Sequence, residues 1–173
     1  MPRNSATSIT SPRATRLRLA LLIGAGGAVG TAIRAIAEHL VPAQPGTWPW
    51  TTFLLNVVGS FLLGALLTGL GRRGPDEGRV RALRLALGTG LLGGFTTYST
   101  FTLEVDALMR EGEVALGAAY AVGSVLLGAS AALLGVRAAR RLVPLAPGTG
   151  LTDLAERLDP TLPIDPDEPG PAR

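Results

Sequence analysis

The chain has 173 residues, of which 47% are hydrophobic and only 17% are charged, and its mean hydropathy is +0.35. This composition is typical of a membrane protein, and the length allows a small helical bundle at about 20 residues per span but excludes a separate catalytic domain. Cysteine is absent, which excludes disulfides and thiolate chemistry, and all 16 basic residues are arginines that flank apolar segments, so nucleic-acid binding is not expected.

The first apolar segment covers about residues 17–40 and follows a polar stretch, residues 1–15, that could not build a core. We predict this stretch to be a disordered N-terminal tail. Because Arg13, Arg16 and Arg18 precede the apolar run, the segment could also be a secretory signal peptide. The three apolar segments that follow favour a retained membrane helix.

Those segments lie at about residues 50–70, 81–108 and 114–136, and each could cross a bilayer of about 30 Å as a helix rising about 1.5 Å per residue. The sequence therefore predicts an all-α membrane protein with four transmembrane helices in residues 16–141. Residues 142–173 are acidic and rich in proline, and they are predicted to form a disordered tail or a short surface helix.

The third segment contains the polar run Gly93-Gly94-Phe95-Thr96-Thr97-Tyr98-Ser99-Thr100-Phe101. Hydroxyl groups are costly inside a membrane helix because lipid offers them no hydrogen bonds. Polar groups kept at such positions are commonly functional. Taken alone, the two glycines indicate only a kink in the helix.

The arginines are distributed unevenly between the two sides of the predicted bundle. Four spans place both termini and the loop between the second and third spans on one side, whereas the opposite loops contain only Arg110. By the positive-inside rule both termini are cytoplasmic, and the chain should insert in one orientation. The twelve arginines on the predicted cytoplasmic side are Arg3, Arg13, Arg16, Arg18, Arg72, Arg73, Arg79, Arg81, Arg84, Arg137, Arg140 and Arg141.

One face of the fourth span carries Tyr120, Ser124, Gly128 and Ala132 at intervals of four residues. Small residues at this spacing let helices approach closely, which is the simplest interpretation of the face. The hydroxyls of Tyr120 and Ser124 could also line a polar pathway.

Three motifs follow one another along the chain: Gly26-Gly27-x-x-Gly30-x-x-x-Arg34, then Asn56-Val57-x-Gly59-Ser60-Phe61-x-x-Gly64, and the Gly93 to Phe101 run. Together they resemble the Fluc (CrcB-like) fluoride channels, over about residues 17–140. The resemblance implies small four-helix subunits, with a break in the third helix, that pair antiparallel in the cytoplasmic membrane. It also implies two fluoride pathways along the dimer interface. Fluoride leaves the cytoplasm passively through them, and this export reduces its toxicity to the cell.

The resemblance further implies which residues contribute to fluoride conduction, since hydroxyl and amide N–H groups can replace the water around fluoride and aromatic ring edges are positive. Asn56 could instead be an amide that only packs helices together, and the hydroxyls could bond back to the preceding turn. Two positions depart from the family: Tyr98 stands where phenylalanine is usual, and Gly128 where another serine is often found. The implied pathway residues are Arg34, Asn56, Thr97, Tyr98, Ser99, Thr100, Phe101, Tyr120 and Ser124.

A structural sodium ion at the dimer centre is also implied, held by backbone carbonyls at the break in the third helix. These carry over to Gly93 and Thr96, where glycine permits unwinding and freed carbonyls need a partner. For Arg34, two roles remain open: an electropositive vestibule near the pathway, or a side chain that snorkels to the membrane boundary.

Two other functions remain as alternatives to a channel. A proton-coupled small multidrug transporter would need a carboxylate near the membrane centre, but Glu38, Glu104 and Asp106 lie near predicted helix ends. A non-conducting partner subunit is the second alternative. No enzyme activity is expected, since the solitary His39 lacks the partners of a metal or nucleophile site.

The predicted orientation bears on the partner of this chain. If the functional unit is an antiparallel pair and this chain inserts in one orientation, its partner should be a paralogue with the opposite arginine bias. A homodimer remains possible.

Overall fold

The computed structural model describes residues 12–146, and every regular element within them is helical. Three helices are long and apolar enough to span a membrane: α1 (Pro12–Leu40), α2 (Trp50–Gly71) and α6 (Val114–Leu142). Their leucine and valine side chains are widely exposed, as expected for a bundle surrounded by lipid. The protein is an integral membrane protein.

Two helices differ in length from their predicted spans. Helix α1 begins at Pro12, so residues 12–15, which were assigned to the tail, are helical. Helix α6 continues past residue 136 to Leu142 because the last residues are alanines, arginines and a leucine, all good helix formers. The remainder of the predicted N-terminal tail, and the acidic C-terminal tail from residue 147, lie outside the described residues.

The predicted third span is a series of short helical pieces. Helix α3 (Gly78–Leu83) continues into a π-helical segment (Arg84–Leu92) and then α4 (Gly93–Phe95). Thr96 adopts an extended conformation, with φ −83° and ψ 158°, and helix α5 (Ser99–Arg110) begins three residues later. None of these pieces alone is long enough to span a bilayer.

The helices pack in two groups that meet at this interruption. Helix α2 lies mainly against α6, whereas α1 lies against the π-helical segment and α4. Both contacts are close at glycines: a Cβ atom at Gly30 would collide with the backbone of Leu91, and one at Gly135 with that of Phe61. On the predicted face of the fourth span, a Cβ atom at Gly64 would likewise collide with the backbone of Ala132, so the predicted close approach of small residues is confirmed at this crossing.

An aromatic cluster lies at the opposite end of α6 from Leu142 and fixes the position of α5. Phe53, Leu108 and Tyr120 are buried there, and Trp48 and Phe101 pack against them. Trp48 contacts Tyr120 edge-on, with ring centroids 5.3 Å apart. This cluster holds the start of α5 beside α2 and α6.

Candidate functional site

A groove of about 290 Å³ runs along the outside of the bundle where α2, α6 and the interruption meet. It brings together five of the nine predicted pathway residues and one of the two predicted sodium ligands. Its walls are formed by Asn56, Gly59, Ser60, Leu63, Thr96, Thr97, Tyr98, Phe101, Ser124 and Val125.

Asn56 joins α2 to the interruption through two hydrogen bonds with one residue. Its Nδ2 donates to the Thr97 carbonyl at 2.9 Å, and the Thr97 backbone N–H donates to its Oδ1 at 2.8 Å. The amide therefore packs α2 against the interruption. An amide nitrogen carries two hydrogens, so one N–H of Asn56 remains for another acceptor in the groove.

The hydroxyls of the interruption mostly bond within the interruption itself. The Thr97 hydroxyl accepts the Thr100 backbone N–H at 3.1 Å, so it caps the start of α5, and it also donates to the Thr100 hydroxyl at 3.1 Å. The Ser99 hydroxyl lies 3.2 Å from that of Thr97. The Thr96 hydroxyl donates back to the Leu92 carbonyl at 2.9 Å. These contacts follow the alternative in which the hydroxyls satisfy nearby backbone groups.

These side-chain bonds take two backbone donors away from an unbroken helical pattern. In a continuous helix the N–H of Thr97 would bond to the Gly93 carbonyl, and that of Thr100 to the Thr96 carbonyl. Here the first N–H bonds to Asn56 and the second to the Thr97 hydroxyl. Gly93 and Thr96, the two predicted sodium ligands, are thus the residues whose carbonyls lose these helical donors.

The two aromatic residues of the predicted pathway have different surroundings. Tyr98 is 79% exposed, so its ring projects away from the subunit. Phe101 is half-buried, with its ring centroid 5.3 Å from that of Tyr120 and 6.1 Å from that of Tyr98. Phe101 thus forms a wall between the groove and the aromatic cluster.

Tyr120 is not in the groove. It is fully buried, and its hydroxyl donates to Glu104 Oε2 at 2.6 Å, while the Thr52 hydroxyl donates to Glu104 Oε1 at 2.7 Å. Within this subunit the Tyr120 hydroxyl therefore donates a hydrogen bond to a carboxylate on α5 and does not border the groove, so its place in a pathway stays a prediction. Glu104 belongs to this polar cluster although no motif pointed to it; its only sequence signal is that it follows Tyr98 and Phe101 at intervals of three.

Ser124 does lie in the groove wall, and its environment differs from that of Tyr120. Its Oγ atom is buried and has no hydrogen-bond partner within residues 12–146. A hydroxyl left without a partner in an apolar setting is costly, which favours a role with a partner from outside the described chain.

Arg34 is held at the carbonyl end of α4. Its Nε donates to the Gly94 carbonyl at 3.2 Å, and its Nη1 pairs with the Glu38 carboxylate at 3.2 Å. A cation at this end is favourable because the helix dipole is negative there. The side chain is 21% exposed, and its charge is paired with Glu38 within the subunit.

Comparison with known proteins identifies the family of this chain. The family model described as CrcB-like protein, Camphor Resistance (CrcB), matches residues 21–136, which include every predicted site residue. The chain belongs to this family. The CrcB-like match ends before the last turns of α6 and leaves out the acidic tail.

Several curated relatives of this CrcB-like chain carry names that describe a channel. A protein of Leifsonia xyli subsp. xyli named fluoride-specific ion channel FluC 2 is 47% identical over 119 residues, which are 69% of this chain and 81% of the relative. FluC 1 of Cutibacterium acnes is 44% identical, over 69% of this chain and 83% of its own. FluC of Novosphingobium aromaticivorans is 44% identical, over 66% and 90%.

Proposed function

We propose that this protein is a fluoride-selective ion channel of the cytoplasmic membrane that lets fluoride leave the cell passively. Its membership of the CrcB-like family and its similarity to proteins named fluoride-specific ion channels support this function. The protein is a channel and not an enzyme. Export would be driven by the membrane potential, which is negative inside, and by the concentration of fluoride accumulated in the cytoplasm.

The observation that carries the proposal is the groove beside the interruption. Its walls combine the unpartnered Ser124 hydroxyl, the remaining Asn56 N–H and the ring of Phe101. Each could face a small anion with a positive group: a hydroxyl hydrogen, an amide hydrogen or a ring edge. Fluoride would exchange its water for these donors, and a narrow passage would exclude the larger chloride.

The groove is open on the outside of the subunit, so it would be one wall of a pathway that a second subunit closes. The exposed Tyr98 ring is placed to extend toward such a partner. We propose that the interrupted segment Gly78 to Arg110 is a fourth membrane crossing, with its break near mid-membrane. Two such four-crossing subunits would form an antiparallel pair.

A sodium ion at the centre of the pair fits the chemistry of the interruption. Alkali cations take oxygen ligands, and the Gly93 and Thr96 carbonyls are the two that lose their helical donors to side chains. Gly93 is exposed, and a Cβ atom there would meet no other atom closer than 3.9 Å. Packing within the subunit does not demand glycine at this position, which favours a role at an interface. When bound, the ion would give these two carbonyls a partner in place of the backbone N–H groups that they lose.

The arginine asymmetry supports one orientation, with both termini in the cytoplasm. An antiparallel pair then needs a subunit of opposite orientation, so we propose a paralogue as the natural partner. A homodimer would require this chain to insert both ways. Labelling of single cysteines at residues 74 and 112 from each side of the membrane tests this, since equal access of either site from both sides would overturn the single orientation.

The first test of function is fluoride efflux from liposomes that contain this protein alone, with chloride as the control anion. Fast flux of fluoride but not of chloride would establish the channel without an obligatory paralogue. If the protein alone is silent, addition of an oppositely oriented paralogue should restore flux. Silence in both preparations would overturn the proposal in favour of a non-conducting subunit.

A further inference from the structure

The end of the bundle at which α6 terminates carries a dense set of arginines. Helix α6 ends with Arg137, Arg140 and Arg141, all exposed, and the loop after α2 contains the exposed Arg73. None of these four makes a salt bridge within the described part of the chain. By contrast, the carboxylate of Asp76 in the same loop is already occupied by Arg84, at 2.6 and 2.8 Å.

The chain that leaves α6 is fastened to this same loop. The Arg72 Nε donates to the Val143 carbonyl at 2.6 Å, and the Ala146 backbone N–H donates to the Arg72 carbonyl at 2.8 Å. A second groove, of about 400 Å³, is formed between Arg72, Arg73 and the segment from Leu142 to Ala146. The chain therefore enters residues 147–173 from a point beside the unpaired arginines.

The charge of residues 147–173 is opposite to that of the arginines. This stretch contains six carboxylates and only two arginines, and the first acidic residue, Asp153, is seven residues beyond Ala146. Seven residues can reach at most about 25 Å, which covers the end of the bundle. A tethered segment experiences an effective concentration on the order of millimolar, so weak ion pairs suffice to hold it.

We propose that the acidic segment, residues 147–173, docks onto the arginines at this end of its own bundle, principally Arg73, Arg137, Arg140 and Arg141. The segment covers a basic surface that would otherwise attract anionic lipid headgroups. The family match covers residues 21–136, so residues 147–173 lie outside it. The docking does not depend on which ion the protein conducts.

The absence of lysine from the chain gives a direct test in the full-length protein. Two variants, Arg73→Lys and Arg140→Lys, keep the charge and each introduce one side-chain amine. A water-soluble carbodiimide then joins that amine to any carboxylate in contact with it, and peptide mapping of the monomer band identifies the linked pair. The expected product joins the introduced lysine to peptides that contain residues 153–168, in vesicles of phosphatidylcholine.

The matched control is Arg110→Lys, because Arg110 is the last residue of α5 and lies near the start of α6, at the end of the bundle opposite to Arg140; a helix as long as α6 separates the two ends by roughly 40 Å. Its introduced lysine should link to the neighbouring Asp106, which Arg110 contacts at 2.8 Å, but not to the tail. Tail links from this position as abundant as those from positions 73 and 140 would show random encounters and overturn the proposal.

Salt and lipid composition provide the remaining outcomes. Raising the NaCl concentration to 1 M, where the Debye length is about 3 Å, should reduce the tail links from position 73 about tenfold or more. Links from positions 73 and 140 only to Asp76 or Glu77 would overturn the proposal. Loss of the tail links when phosphatidylglycerol is added would also overturn it, by showing that lipid headgroups occupy the surface.

Discussion

The two polar regions near α5 differ in how their hydrogen bonds are used. In the cluster of Glu104, Thr52 and Tyr120, each carboxylate oxygen accepts a hydrogen bond from one hydroxyl. Both residues that carry these hydroxyls are almost completely buried. In the groove, Ser124 has no partner within the described residues and Asn56 keeps one free N–H. A membrane bundle thus contains polar groups that stabilise it and polar groups that stay available, and their sequence context alone does not separate them.

The largest effect is expected from Asn56→Ala, since Asn56 belongs to the groove and also holds the interruption. The change removes two hydrogen bonds to the backbone of Thr97, which is half-buried, and each group left without a partner costs up to about 1–3 kcal/mol. Fluoride efflux from liposomes should fall to the background rate, and the melting temperature in detergent should drop. Flux within twofold of the unmodified protein would show that the Asn56 to Thr97 link is dispensable.

Tyr120→Phe tests the closed cluster. Loss of the hydroxyl leaves Glu104 Oε2 without its donor, which should destabilise the protein by about 1–3 kcal/mol. Thermal unfolding measures this effect, and fluoride flux per folded protein should change much less than in Asn56→Ala. An unchanged melting temperature combined with lost flux would place Tyr120 functionally with the groove.

Ser124→Ala tests the open region with the opposite pattern. The Ser124 hydroxyl has no partner to lose within residues 12–146, so stability should be unchanged or slightly higher. Fluoride flux should fall by roughly 2- to 12-fold, the rate equivalent of one hydrogen bond of about 0.5–1.5 kcal/mol. The matched control is Ser130→Ala on the same helix, whose hydroxyl donates to the Leu126 carbonyl at 2.8 Å and lies outside the groove. Equal flux in the two variants would contradict the role of Ser124.

The smallest effect is expected from Tyr98→Phe, which restores the aromatic residue usual in the family. Tyr98 is 79% exposed in the subunit, so its hydroxyl contributes little to folding, and the melting temperature should not move. Flux should change by no more than about twofold, since the ring edge that faces an anion is present in both residues. A large rise in flux would instead indicate that the Tyr98 hydroxyl obstructs the pathway.

Periodicity and composition predict features that depend on residue type and spacing. The three long membrane helices and the close crossing at Gly64 were predicted in this way, and the CrcB-like family was recognised by the resemblance of its motifs. The four-residue spacing of Tyr120 and Ser124 did not predict that only Ser124 borders the groove of this subunit. A helical face is wide, and the bulky Tyr120 side chain turns toward Glu104 on α5, whereas Ser124 borders the groove.

The hydrophobicity of the chain by itself determined that it lies in a membrane, and its arginine distribution determined which end is basic. The family resemblance also brought Asn56 and the interruption into one motif set. Only the tertiary structure decided that Asn56 binds Thr97, that Arg34 binds Gly94, and that Arg72 receives the end of α6. The physical reason is that a hydrogen bond forms only within about 3 Å and near a straight angle, and residues far apart in sequence meet that condition only when the helices pack.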